Sequence, residues 1–359
     1  MKKKYNVIGL MSGTSLDGLD LVYCEIKQND NSYSYEILNT KSVEYTPDMK
    51  DNLKNAIHLS ALDLFELNNI YGTWLGEQSR VFIQEEKLEV DFISSHGHTT
   101  HHQPKKGITY QIGSGQHLAN ASKHTVINDF RTNDVALGGQ GAPLVPIGDM
   151  LLFREYDFCL NLGGISNISF QKGKDRIAYD IGLANMILNY ITQKINLTYD
   201  KNGDLARSGK INEILLEKLN TLEYYKLPYP KSIGYEWFLK EVIPIVDKTE
   251  DTIPNLLHTA VRHICEQITI QVKNNTNKKN SSLLITGGGA LNTFLIDILK
   301  KELQNTATIV IPSKTEIEFK EALIFALMGI LKKENKINVL SSVTGAKRNS
   351  SSGIIYYPQ

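Results

Sequence analysis

The chain has 359 residues, a length at which two lobes are more common than one hydrophobic core. Its 39 Lys and Arg residues balance 39 Asp and Glu residues, which disfavours nucleic acid or an anionic membrane as partner. The three cysteines lie far apart without metal-binding spacing and indicate reduced thiols. The longest apolar run, residues 322–331, is too short to span a bilayer. We therefore expect a soluble cytoplasmic protein.

The N-terminal segment is predicted to form a strand, a turn of small residues and a second strand. Residues 5–11 and 19–26 are rich in β-branched and aromatic side chains, and residues 12–18 separate them. A P-loop would instead open a helix and end in Gly-Lys-Ser/Thr, so this turn is not one. Apolar residues at helical spacing then predict a long helix over residues 61–86.

A similar strand–turn–strand unit recurs in the second half, with strands at 157–162 and 165–170 around Gly163 and Gly164. The recurrence suggests an internal duplication, although two unrelated hairpins would look alike. The remaining predicted elements are a strand at 282–286, a surface loop at 274–280, and helices at 185–194, 211–225, 256–273, 292–303 and 317–332. Strands that alternate with helices predict an α/β fold.

Three glycine turns are candidates for binding phosphate. The first comprises Gly13, Thr14, Ser15, Leu16, Asp17, Gly18, Leu19 and Asp20; the others are Gly163-Gly164 and Gly287-Gly288-Gly289. Glycine lets the backbone approach a ligand, and turn amides can hold phosphate oxygens. Asp17 or Asp20 could hold Mg²⁺ through water. Ordinary turns share this composition, but three such turns together favour a nucleotide site.

Two further segments carry titratable groups with more than one interpretation. Asp180 is expected either to cap the helix that begins near Asn185 or to act as a general base, and one role does not exclude the other. His96 and His98, expected on one face of a strand, open a histidine-rich segment that ends at His102. Since no cysteine or carboxylate completes a set there, substrate hydrogen bonding or a structural role is favoured over zinc.

Arg131 and Glu321 are the remaining charged candidates. Arg131 could hold a substrate carboxylate through two hydrogen bonds, or could pair with Asp129 or Asp134 at the surface. Glu321 lies among apolar residues of the last predicted helix, where it is either a solvated edge or a buried group that requires a partner.

Several motifs together make the chain resemble the anhydro-N-acetylmuramic acid kinases over nearly its whole length. The shared motifs are the segments 9–20 (GLMSGTSLDGLD), 95–99 (SHGHT), 137–146 (LGGQGAPLVP), 161–167 (NLGGISN), 287–292 (GGGALN) and 342–346 (SVTGA). The first and third of these are highly specific, whereas the glycine triplet is not.

The resemblance implies a two-lobed actin-like, hexokinase-like (ribonuclease-H-like) ATPase fold with a central ATP cleft. It implies an N-terminal lobe of residues 1–130 joined by 335–359, and a C-terminal lobe of residues 131–334. It also implies a phosphotransferase that uses ATP and Mg²⁺ to open 1,6-anhydro-N-acetylmuramic acid with water and phosphorylate O6. The product, N-acetylmuramic acid 6-phosphate, belongs to peptidoglycan recycling and amino-sugar catabolism.

By the same resemblance, the three glycine turns bind ATP and Asp180 is the base that activates water. The substrate-binding residues are His96, Thr99, Arg131 and Glu321, and no metal ligand is assigned. The chain has Ile181-Gly182-Leu183-Ala184-Asn185 where the family has Thr-Gly-Pro-Gly-Asn, and Tyr235 where Arg is common. A kinase for another anhydro or amino sugar and a non-catalytic nucleotide-dependent sugar sensor therefore stay open, as does assembly into a homodimer.

Overall fold

The computed structural model describes residues 3–13, 16–29, 32–276 and 278–359. The chain forms two compact units, one of Met1–Leu152 with Phe319–Gln359 and one of Phe153–Glu318. These limits differ from the predicted ones, because residues 131–152 and 319–334 belong to the first unit. The last long helix packs there: Ser94 Oγ donates a 2.5 Å hydrogen bond to Phe325 O, and a Cβ at Gly9 would lie 2.0 Å from Ala322 O.

The strands fall into one large sheet in each unit and a small sheet in the first. In chain order they are β1 (Lys3–Ser12), β2 (Leu19–Asn29), β3 (Ser32–Val43), β4 (Phe92–Ser95), β5 (His98–Gln103), β6 (Ile108–Ile112), β7 (Val126–Asn128), β8 (Phe158–Leu162), β9 (Ile165–Lys172), β10 (Asp175–Leu183), β11 (Ser281–Thr286), β12 (Ala307–Val310) and β13 (Ile354–Tyr356).

Along the chain, most helices alternate with the strands of the two large sheets. In chain order they are α1 (Pro47–Asn55), α2 (Ala61–Glu86), α3 (Gly115–Ser122), α4 (Thr132–Ala136), α5 (Pro146–Leu151), α6 (Asn185–Gln193), α7 (Asp204–Ser208), α8 (Glu213–Asn220), α9 (Glu223–Lys226), α10 (Tyr235–Trp237), α11 (Ile243–Asp247), α12 (Ile253–Asn275), α13 (Thr293–Leu303), α14 (Lys314–Lys333) and α15 (Ser341–Thr344).

The two large sheets share an order of five strands, to which the first unit adds β13 as an antiparallel edge strand. In the first unit β1, β2 and β3 form an antiparallel meander and the order is β13-β7-β4-β1-β2-β3, with β4 parallel to β1 and β7 parallel to β4. In the second unit the order is β10-β9-β8-β11-β12, again with a meander followed by two parallel strands. Third-second-first-fourth-fifth, with only the second strand reversed, is the ribonuclease-H-like order. The predicted α/β class is confirmed, and the repeated order supports the predicted duplication.

Each unit has its own hydrophobic core beneath its sheet. In the second unit β8 and β11 contribute Leu160 and Ile285, both fully buried, and α12 lays a continuous apolar face against them. Burial on both faces is typical of the parallel strands of an α/β layer. Within the described part of the chain, no helix is both long and apolar enough to cross a bilayer.

Most predicted elements are present within one to four residues, but the single helix predicted at 211–225 is wrong. The structure has two helices there, because the Asn212 side chain caps α8 by accepting from Leu215 N (3.0 Å), and Leu222 then adopts an extended ψ of 133° before α9. The break places α9 against β10, which bears on the site described next.

Candidate functional site

The second unit brings the glycine turns at 163–164 and 287–289 together. They follow β8 and β11, which are parallel neighbours, so both turns lie at the same edge of the sheet. In open α/β sheets ligands bind beyond this carboxyl edge, near the point where the strand order changes direction. Here β8 is that point, with antiparallel β9 on one side and parallel β11 on the other.

Close backbone approach explains the glycines of this turn pair. Gly287 has φ +79°, and a Cβ there would lie 2.6 Å from Asn161 Oδ1 and 2.8 Å from Leu162 O. A Cβ at Gly289 would lie 2.7 Å from Leu162 Cβ. Neither position has room for a side chain, whereas Gly164 and Gly288 are exposed.

Asn185, at the start of α6, joins the two turns. Its Nδ2 donates to Leu162 O (3.0 Å), and its backbone N–H donates to Gly163 O (3.0 Å). Gly164 O accepts from Ala184 N (2.9 Å) and Met186 N (3.0 Å). The first N–H groups of α6 are therefore already satisfied by the glycine turn, and the exposed part of the turn pair is the backbone of Gly164 and Gly288.

Asp180 lies on β10, so the predicted helix-capping role is wrong. The residue before α6 is Ala184, and capping there comes from the glycine carbonyls. Tyr179 and Ile181 both point into the hydrophobic core, and because side chains alternate along a strand, Asp180 points to the opposite face. The strand is irregular at this place, since its register with β9 shifts between Asp180 and Gly182.

The Asp180 carboxyl is held by one backbone group and largely removed from water. Its Oδ2 accepts from Ile233 N (3.1 Å), and none of the described residues bonds its Oδ1. Burial raises the pKa of Asp180 to about 6, with the Ile233 hydrogen bond opposing the rise. A carboxyl with a pKa raised toward neutral pH and one open oxygen can accept a proton from a bound molecule.

In the first unit His96 and Arg131 form a hydrogen-bonded pair. Arg131 donates from Nε and Nη2 to His96 Nε2 (3.1 and 2.8 Å) and from Nη1 to Gly141 O (2.5 Å). Arginine only donates, so His96 Nε2 must accept, and its proton lies on Nδ1, which donates to Gly97 O (2.9 Å). Burial and the neighbouring Arg131 charge lower the pKa of His96 to about 3, consistent with a neutral ring.

This pairing differs from two sequence expectations. Arg131 forms no ion pair with Asp129 or Asp134 among the residues described, and two of its five N–H groups remain for another acceptor. His96 precedes β5 instead of sharing a strand face with His98, because β4 ends at Ser95.

The other two predicted substrate residues are also in the first unit. Glu321, on α14, is exposed to solvent, and its charge interacts with Arg131. Thr99, on β5, is half-buried and accepts from Gln111 Nε2 at 3.4 Å. The structure thus brings neutral His96 and the charged side chains of Arg131 and Glu321 into one polar group, with Thr99 on the adjacent hairpin.

The first glycine turn is only partly described. Thr14 and Ser15 lie outside the described residues. Leu16 N donates to Gly13 O (3.3 Å), Asp17 is exposed, and Asp20 Oδ1 accepts from Ser42 Oγ (2.6 Å). Gly18 and Leu19 complete the return into β2, where Leu19 pairs with Ser12. The turn therefore joins the first two strands of the first unit, as 163–164 does in the second.

Several residues that support these groups were not found from the sequence. Tyr224 donates from its hydroxyl to Asp180 O (2.7 Å), and Lys231 O accepts from Asp180 N (3.2 Å). At the base of the first turn, Ser12 Oγ bonds the hydroxyls of Tyr45 (2.7 Å) and Tyr71 (2.8 Å). Each pair is far apart in sequence, so no local pattern connects its members. Among residues the structure describes, no group of three or more His, Cys, Asp or Glu side chains could hold a metal ion.

Comparison with known proteins identifies the family. Residues 5–358 match the family model of anhydro-N-acetylmuramic acid kinase. A protein of that name from Aliivibrio fischeri is 36% identical, with 97% of this chain and 98% of its own length aligned. Another from Sulfurovum is 34% identical over 99% of both chains. The solved structure of a ligand-bound xylulose kinase from Lactobacillus acidophilus aligns with 99% of this chain and 94% of its own, with a TM-score of 0.44 and 10% identity, too remote to inform function. The chain belongs to the anhydro-N-acetylmuramic acid kinase family.

Proposed function

We propose that this protein is an ATP-dependent kinase that opens the 1,6-anhydro bridge of anhydro-N-acetylmuramic acid with water and phosphorylates O6. The products are N-acetylmuramic acid 6-phosphate and ADP, and the place of the reaction is peptidoglycan recycling. Family membership confirms the resemblance inferred from the motifs and the phosphotransferase class. The structural observation that carries the chemistry is Asp180, a carboxyl with a pKa near 6 and one open oxygen.

Asp180 is assigned the proton transfer. Its carboxylate takes a proton from water as the water oxygen bonds to the anomeric carbon and the bond from that carbon to O6 breaks. O6 is thereby the leaving group from carbon and the nucleophile toward the γ-phosphoryl group of ATP. A positioned base contributes about 10²–10⁴-fold to such a step, and phosphoryl transfer otherwise depends on positioning and charge neutralisation.

The glycine turns are assigned to ATP. Exposed backbone at Gly164 and Gly288 has no side chain that would keep phosphate away. The turn at 13–20 is assigned to ATP from the family motif, with Gly13 and Gly18 as its glycines. Asp17 and Asp20 offer carboxylate oxygens of the type that Mg²⁺ prefers, and either fits as a ligand through water. The bound ion would neutralise phosphate charge.

His96, Thr99, Arg131 and Glu321 are assigned to the sugar. Arg131 is held by neutral His96 and by Gly141 O, so its guanidinium has a fixed orientation and its two remaining N–H groups can donate to a carboxylate. The lactyl carboxylate of the sugar supplies such a group. Glu321 is exposed and can accept from sugar hydroxyls.

The altered segment after Asp180 is compatible with the family substrate. Ile181 and Leu183 are buried in the core of the second unit, on the face of β10 away from Asp180. Their side chains change the packing behind the carboxyl and are not in a position to contact a sugar. This arrangement supports anhydro-N-acetylmuramic acid over a different anhydro or amino sugar.

The test is a turnover assay with purified protein, ATP, Mg²⁺ and a panel of anhydro and amino sugars. We expect ADP and a sugar phosphate from anhydro-N-acetylmuramic acid. Turnover of another sugar instead would reassign the substrate, and nucleotide-dependent sugar binding without phosphate transfer would indicate a sensor.

A substitution tests whether Asp180 is the base that activates water. Asp180→Asn should lower kcat by about 10²-fold or more while ATP still binds. Asp175→Asn, the same change at an exposed position of β10, is the matched control and should leave kcat unchanged. Full activity of the Asp180 variant would remove that residue from the role of base.

A further inference from the structure

The aromatic ring of Tyr225, on α9, lies against the backbone of Gly182, two residues after Asp180. A methyl group added at Gly182 would lie 2.5 Å from Tyr225 Cε1 and 2.8 Å from its hydroxyl oxygen. This is also where the register of β10 with β9 shifts, between Asp180 and Gly182. Tyr225 therefore packs directly on the irregular part of the strand that carries the proposed base.

The orientation of Asn220, at the end of α8, determines the direction of a chain of hydrogen bonds that ends at Tyr225. Its Nδ2 donates to Glu266 Oε2 (2.8 Å), and a carboxylate can only accept, so the amide orientation is determined. Asn220 Oδ1 must then accept from His263 Nδ1 (2.6 Å) and from Gln267 Nε2 (3.0 Å).

His263 connects Asn220 to Tyr225, because each of its ring nitrogens bonds one of these two residues. With its proton on Nδ1, the neutral ring offers Nε2 as an acceptor to the Tyr225 hydroxyl, 2.8 Å away. Complete burial lowers the pKa of His263 to about 3, so the ring stays neutral at ordinary pH. The two rings meet edge to face, with centroids 4.8 Å apart. The Tyr225 ring is thus held in one orientation by α8 and α12.

Two further hydrogen bonds restrain the segment of β10 from Asp180 to Gly182. Tyr224, the preceding residue of α9, donates to Asp180 O (2.7 Å), and Ser166 Oγ donates to Gly182 O (3.0 Å). The Asp180–Gly182 segment is therefore contacted on one side by both tyrosines of α9 and on the other by β9.

We propose that Tyr225, locked by His263 and Asn220, is a positioning residue that aims the Asp180 carboxyl at its substrate. Tyr225 touches no reacting atom and acts through the backbone of Gly182. The inference rests on the proposed role of Asp180 as the base. A displacement of a catalytic group by about 1 Å can cost on the order of 10²-fold in rate, so a ring that holds this segment affects kcat while leaving substrate binding intact.

The test compares tyrosine hydroxyl deletions in the complete enzyme. Tyr225→Phe keeps the ring and removes the hydrogen bond to His263, and we expect kcat to fall by about 10- to 100-fold with KM for ATP and for the sugar little changed. The matched control is Tyr190→Phe, which removes a hydroxyl that donates to Asp247 (2.8 Å) elsewhere in the same unit and should leave kcat unchanged.

A second pair of variants keeps the test decisive if Tyr225→Phe folds poorly. His263→Leu removes the acceptor for the hydroxyl and should reproduce the loss of kcat, whereas His263→Gln offers an amide oxygen and should recover part of it. Wild-type kcat in Tyr225→Phe, or equal losses in both His263 variants, would overturn the inference. Absence of turnover by the unaltered enzyme would instead overturn the proposed function.

Discussion

Asp180 is expected to make the folded protein less stable at neutral pH, because its carboxylate is held where water is scarce. A carboxyl with a folded-state pKa above its unfolded value binds more protons in the native state than in the unfolded state between those two values. Native stability therefore decreases as pH rises from about 4 to about 6, and the full cost is present above pH 6. Asp180→Asn removes the charge, so this variant should lose activity and gain stability.

The stability gained by Asp180→Asn can be calculated from the pKa shift of Asp180. From 3.8 to about 6 is about two pKa units, or about 3 kcal/mol at neutral pH at about 1.4 kcal/mol per unit. The asparagine oxygen is a weaker acceptor for Ile233 N–H than a carboxylate, which offsets about 1 kcal/mol. A net gain of about 2 kcal/mol corresponds to a rise of about 4–8 °C in the unfolding midpoint of a domain of this size.

Thermal unfolding of both proteins at pH 7.5 and pH 4.5 measures this gain. We expect the variant to unfold at the higher temperature at pH 7.5 and most of the difference to disappear at pH 4.5, where native Asp180 is protonated. Asp175→Asn, exposed on the same strand, should show no difference at either pH. A variant that is no more stable than wild type at pH 7.5, or an equal gap at both pH values, would refute the reasoning that burial raises this pKa.

Three further predictions concern pH, the glycine turn and the buried ion pair. The rate kcat should fall about tenfold per unit below pH 6, because only deprotonated Asp180 accepts a proton, and a flat profile from pH 5 to 8 would exclude it as base. Gly287→Ala places a side chain at positive φ and against Asn161, so it should lower the free energy of unfolding more than the control Gly173→Ala, which has positive φ and open space. The same variant should weaken ATP binding in a titration. Lys320→Met removes one charge of the buried ion pair that Lys320 Nζ forms with Asp149 Oδ1 (2.8 Å) and should cost about 3–5 kcal/mol in denaturant unfolding; a loss under about 1 kcal/mol would contradict this expectation.

Local patterns account for the elements that the sequence predicted well. The helix at 61–86 is found with the predicted limits because Ser60 caps its start, accepting from Asp63 N (3.3 Å), and apolar side chains recur at helical spacing. The paired hairpins at the start of each unit are also visible, since short turns of small residues separate runs of β-branched residues. Such features depend on neighbours within a few residues.

Asp180 shows where local patterns were insufficient. Spacing alone allowed it to be a helix cap or a base, because β10 has too little alternation to be recognised as a strand. Its pairing with β9, and the contacts from Tyr224 and Ile233 more than 40 residues away, decide its position. The Arg131–His96 pair could not be predicted from local patterns either, since 35 residues separate its members. From the sequence, a surface ion pair of Arg131 with Asp129 or Asp134 was equally plausible.

The amino-acid sequence by itself determined the family and the α/β class and supplied the candidate residues for the chemistry, because motifs, glycine turns and apolar periodicity are local properties of the chain. The tertiary structure alone decided the state of those residues: Asp180 with its pKa raised by burial, His96 as a neutral acceptor, and Tyr225 against the backbone of Gly182. Protonation and orientation depend on the solvent excluded and the partners supplied by distant segments, which come together only when each sheet and its helices have packed.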